Sequence, residues 1–141
     1  MKIKSVFIVL PIVAMLLLHG VAAASSDQEL IDKVTSFAKW TGRWSIVSAS
    51  GELEISFYKE GGKLQGEITR SIGGSALSHL AVGPLKWVEV KKGVITFTSQ
   101  SGTDYYLRLE TVEEGTVLKG KAIPPRGYGS RDAEVILRPA Q

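Results

Sequence analysis

Few residues in this chain are of types that could carry chemistry. His79 is one of two histidines, the other being His19, and with Ser78 beside it and Asp104 downstream it completes on paper a nucleophile, base and acid set. Such a set works only when folding brings the three groups within hydrogen-bond reach, and nothing in their spacing requires that. No catalytic residue is therefore assigned. A single histidine among scattered carboxylates has no metal-ligand spacing. The chain has no cysteine, which excludes thiol catalysis and thiolate metal sites, so neither a metal nor a cofactor is expected.

Recognition is the better prospect. Tyr105 and Tyr106 are adjacent, so on a strand they point to opposite faces, and alternation with Leu107 and Leu109 aims Tyr105 inward. Trp87 alternates with Leu85 in the same way, and Phe57 and Phe97 sit at apolar positions of their own segments. If Phe57, Trp87, Phe97 and Tyr105 converge on one interior, they form an apolar wall with a single phenol, suited to a small hydrophobic or amphipathic ligand. The same residues suit a filled core. In that case the surface acts, and the segment 124–131 offers Arg126, Tyr128 and Arg131 between Pro and Gly, residue types favoured at protein interfaces and around anionic groups. A secreted interaction module or inhibitor is thus the alternative to a ligand carrier. An isomerase or cyclase working in the lumen is a third reading, with His79 and Tyr105 as its acid–base candidates.

These residues need a scaffold, and the patterning supplies one. Ser26 with Glu29 makes a capping box, and Leu30, Ile31, Val34, Phe37 and Ala38 recur at helical spacing, which predicts a helix over 27–39 in an N-terminal region of residues 25–40. Past Gly42 the period becomes two. Leu53, Ile55 and Phe57 alternate with Glu52, Glu54 and Ser56, and Gly-containing turns follow at Gly51, Gly61-Gly62, Gly73-Gly74, Gly93, Gly102 and Gly115, with a longer one over 124–130. The segment 74–84 is less polar and reads as a strand or extended loop. Closing the sheet removes exposed edges, so residues 41–141 are expected to form an all-β, closed antiparallel up-and-down barrel of about eight strands, with the N-terminal helix plugging one end.

Residues 1–24 read as a signal peptide. Lys2 and Lys4 precede an apolar run from Val6 to Leu18, and Ala22 and Ala24 give the small-residue pattern of a cleavage site. The run is too short for a membrane span, so no integral span is expected after cleavage and the product is expected in the periplasm or outside the cell. All 14 acidic residues but only 15 of the 17 Lys and Arg follow residue 24, so the net charge falls from +3 to +1. The signs are interspersed, which gives no reason to expect a nucleic-acid partner. Charged or polar side chains on one face of nearly every strand oppose the apolar outer band of a membrane barrel.

Gly42-Arg43-Trp44, standing after a short helix and before the hairpin series, resembles the start of the first strand in the calycin superfamily of β-barrels, the lipocalins above all. That resemblance implies a barrel that binds a small apolar molecule, and a late arginine packed across the tryptophan, for which Arg138 is the match. A Trp44–Arg138 contact would be a structural lock worth about 0.5–2 kcal/mol. Thr41 to Trp44 and Leu64 to Thr69 are also similar to avidin. The chain lacks that family's Asn after the Trp and has Ile68 where a Tyr is required, so biotin binding is not expected.

Overall fold

The computed structural model describes residues 27–73, 81–112, 115–125 and 132–140. A helix, α1, covers 27–35. Nine strands follow: β1 (Trp40–Ile46), β2 (Ala49–Glu60), β3 (Lys63–Gly73), β4 (Gly83–Pro84), β5 (Lys86–Lys91), β6 (Val94–Thr98), β7 (Asp104–Val112), β8 (Gly115–Ile123) and β9 (Ala133–Pro139). They form one antiparallel sheet in the order β4-β3-β2-β1-β9-β8-β7-β6-β5. Apart from the break between β4 and β5, each strand pairs with its neighbour in sequence, and β9 returns to β1, so the sheet curls into a nearly closed barrel.

β4 and β5 are two pieces of one line. β4 pairs with β3 while β5 pairs with β6, and Leu85 between them donates its N–H to the Gly66 carbonyl at 2.9 Å. Taken as one strand, they restore the up-and-down barrel expected from the turns. Of the less polar segment 74–84, residues 74–80 lie outside the described residues, and Gly83–Pro84 is a short strand.

The alternation seen in the sequence decides what the barrel encloses. Leu53, Ile55 and Phe57 of β2, Leu107 of β7, Leu118 of β8 and Leu137 of β9 are all buried, while Glu52, Arg108, Lys119 and Ile136 between them face outward.

One end is plugged by α1. Leu30 and Val34, one turn apart, are buried, and Trp40 is fully buried beneath them with its indole Nε1–H donated to the Val34 carbonyl at 2.9 Å. A tryptophan removes roughly 150–250 Å² from water, a gross gain of about 4–6 kcal/mol. The helix is shorter than its apolar pattern predicts. Thr35 Oγ1 donates to the Ile31 carbonyl at 2.7 Å and Ser36 N–H to that of Lys33 at 3.2 Å, side-chain and tight-turn bonding that ends the helix. Phe37 then folds edge-on against Trp40, 5.4 Å away at 81°. The Ser26 half of the capping box lies outside the described residues.

α1 is tied to the rim at two points. Asp27 accepts the backbone N–H groups of Gly93 at 2.9 Å and Lys92 at 3.3 Å in the β5–β6 turn. Asp32 pairs with Lys59 near the end of β2. Hydrogen bonds from Lys59, the larger influence, and from Gln28 hold the Asp32 carboxyl below the usual carboxylate range. Among the described residues no helix is long and apolar enough to cross a membrane.

Candidate functional site

Directly opposed residues of an antiparallel pair share a face, so the register sorts the interior into rows. The row nearest the end opposite α1 runs from Phe97 through Tyr105 and Ala122 to Ala133, and Ile46 opposes Ala49 beside it. Three of these six side chains are methyl groups. One step deeper, Trp44 is flanked by Gly51 and Val135, and Val135 by Gly120. Trp44 is half-buried against the core and lies across Gly51, where a Cβ would run into both the indole and the Ile72 carbonyl. The upper part of the barrel is thus walled in part by three alanines, Gly51 and Gly120, with Ile46, Val135 and the rings of Trp44, Phe97 and Tyr105 as its larger groups.

The aromatics on this wall pack on one another. Phe97 and Tyr105 stack with ring centres 4.8 Å apart at 14°, and Phe57 meets Phe97 edge-on at 6.1 Å. Burial pushes the pKa of the Tyr105 phenol up to about 12, because an ionised phenolate loses its hydration there. Among the described residues no buried side-chain nitrogen or oxygen lacks a hydrogen-bond partner.

The structure therefore brings together three of the four aromatics expected to line the interior: Phe57, Phe97 and Tyr105. Trp87 departs from that expectation, being 76% exposed on the outer wall. A β-bulge shifts the β5–β6 register between Lys86 and Glu89, and Trp87 takes a left-handed backbone with φ 52°. Lys86 and Trp87 then follow each other outward while Val88 returns to pack on the core, so the alternation with Leu85 is broken.

The register also separates the two residues of the expected Trp44–Arg138 lock. Arg138 opposes Thr41, and Trp44 opposes Val135, three positions apart and on opposite faces of the sheet. The tryptophan that closes the barrel end is Trp40. It continues the three- and four-residue spacing of Leu30, Val34 and Phe37, a signal present in the sequence.

Arg126, Tyr128 and Arg131 of the interaction loop lie outside the described residues, as do Ser78 and His79. Asp104 is exposed and accepts from Thr98 Oγ1 at 2.6 Å. No group of three or more potential metal ligands occurs among the described residues. An open groove of about 460 Å³ lies beside α1, lined by Glu29, Leu30, Lys33, Gly93, Leu109 and two threonines. None of Phe57, Trp87, Phe97 and Tyr105 borders it.

No family model matches the chain, and no match was found among curated proteins or solved structures.

Proposed function

We propose that this is an exported, lipocalin-like barrel that holds a small hydrophobic or amphipathic molecule at the end opposite α1. The observation that carries the reading is the row of Ala49, Ala122 and Ala133 beside Tyr105. A barrel of this size is either filled by its own side chains or just wide enough for one small ligand, and methyl groups at the top of the wall favour the second. Tyr105 supplies a hydroxyl for a polar end of the ligand, and Trp44 a flat apolar face. Export rests on the basic, apolar and small-residue sequence of residues 1–24, and a periplasmic or secreted location follows from it.

The test is native mass spectrometry of protein purified without detergent, followed by extraction of any bound molecule. A stoichiometric adduct that Ala122→Phe eliminates is the expected result. A bare mass, with no uptake of palmitate or anilinonaphthalene sulfonate, would sink the reading. The mutual packing of Phe57, Phe97 and Tyr105 favours a second reading, a filled barrel that works through its outer surface on a protein partner, and the bare mass is its expected result.

A further inference from the structure

The outer wall carries a feature that ligand carriage in the lumen leaves unused. A bulky residue in the left-handed region costs about 1–2 kcal/mol, and Trp87 adopts it while leaving 76% of its surface in water. Burial therefore offsets little of that cost. Glycine would relieve it, yet the position holds the largest side chain there is. Strained, exposed residues of this kind mark places where a side chain is aimed at something outside the fold.

The surroundings restrict what that is. Lys86 lies with its ammonium 5.9 Å from the indole centre. Across the bulge Lys86 opposes Thr98 and Glu89 opposes Thr96. On the other side β3 contributes Gln65, next to the Gly66 whose carbonyl closes the seam with Leu85. Beyond Lys86, the outer face of the flanking strands thus presents a carboxylate, an amide and two hydroxyls, with the exposed rings of Tyr106 opposite Thr96 and Tyr58 opposite Gln65 one strand further away. A protein hot spot needs a contiguous apolar surround that excludes water, whereas the strands carrying Gln65 and Thr96 separate Trp87 from Tyr58 and Tyr106, and a lipid surface or nucleic acid needs charge of one sign. A plate with donors and acceptors of both kinds around it matches a sugar ring, which offers a C–H face to the indole and hydroxyls at its rim to the polar groups.

We infer that Trp87 is the stacking platform of a carbohydrate-binding site on the outer wall, with Gln65, Lys86, Glu89, Thr96 and Thr98 as its hydrogen-bonding rim. The site is independent of any molecule held in the lumen.

The chain has three tryptophans, and their indole N–H resonances separate the possibilities in a titration of ¹⁵N-labelled protein. Trp40 is buried and bonded to Val34, Trp44 reports on the barrel mouth, and Trp87 on the outer wall. Cellotetraose, chitotetraose and maltotetraose are added to roughly 10 mM, a range that detects the weak affinities of single stacking contacts. At least one of them should shift the Trp87 resonance saturably while Trp40 stays still. Trp87→Ala should weaken binding about tenfold or more and Trp87→Phe should retain part of it, with the Trp40 resonance certifying the fold of both variants. No Trp87 shift with any of the three sugars overturns the inference. So does a shift confined to Trp44, or a Trp87 shift with phosphatidylglycerol vesicles and none with the sugars.

Discussion

The buried phenol of Tyr105 makes a quantitative prediction about stability at high pH. Its folded pKa is raised from 10.0 to about 12 by loss of hydration alone. Below pH 10 the phenol is neutral in both folded and unfolded chains, and its contribution to stability is fully present. As pH rises from 10 towards 12 the unfolded chain ionises while the folded one does not, so stability is lost, and the loss levels off above the folded value. At about 1.4 kcal/mol for each tenfold change in proton affinity, the full loss is about 2–3 kcal/mol, of which about 1.4 kcal/mol has occurred by pH 11. Tyr105→Phe keeps the ring stacked on Phe97 and removes the ionisation. Urea unfolding at pH 9, 10 and 11 should therefore show the wild type losing about 1.4 kcal/mol more than the variant over that interval. The comparison cancels contributions from lysines and the other tyrosines, which both proteins share. If the two stability curves fall in parallel, Tyr105 ionises as freely folded as unfolded and does not stand in the apolar interior.

Three further perturbations test the elements that shape the barrel. Gly51→Ala places a methyl group against the Ile72 carbonyl and the Trp44 indole, and should cost about 1–3 kcal/mol and move the Trp44 indole resonance. A variant as stable as wild type with an unmoved Trp44 signal contradicts the close approach. Trp40→Phe removes the bond to Val34 and part of the plug, at a cost of about 2–4 kcal/mol in urea unfolding; a loss under about 1 kcal/mol would mean that α1 is not seated on that ring. Asp27→Ala frees the Lys92 and Gly93 N–H groups, costing about 1 kcal/mol and speeding hydrogen exchange at Gly93, and unchanged exchange there would show that Asp27 does not hold the turn.

Where a strand obeys strict alternation, its inward residues are legible in the amino-acid order alone. Leu53, Ile55 and Phe57, or Tyr105 and Leu107, need only a period of two and flanking turns, and all five are buried. Register is not legible in this way, because it depends on pairing across the sheet, and register is what sets Ala122 beside Tyr105 and separates Trp44 from Arg138. The resemblance to lipocalins draws weight to Trp44 because it follows Gly42. The residue that seats the helix, Trp40, continues the spacing of Leu30, Val34 and Phe37 while opening the first strand, so the helical period carries its signal past the end of the helix.

Trp87 shows why the remainder is hidden. A bulge with a left-handed residue is normally announced by glycine or asparagine, the residues that enter that region at least cost. Here the sequence offers Lys86-Trp87-Val88, a strong strand signal, at the place where the strand breaks. The bulge also interrupts the edge of β5 beside the seam, where one backbone hydrogen bond from Leu85 to Gly66 continues the short β3–β4 pairing, and an interrupted edge resists pairing with another chain. Resistance to pairing explains a bulge, and a glycine or a lysine at this position would serve it as well as the indole does. What it leaves unexplained is the choice of tryptophan, and that residual is what a ligand for the outer wall accounts for.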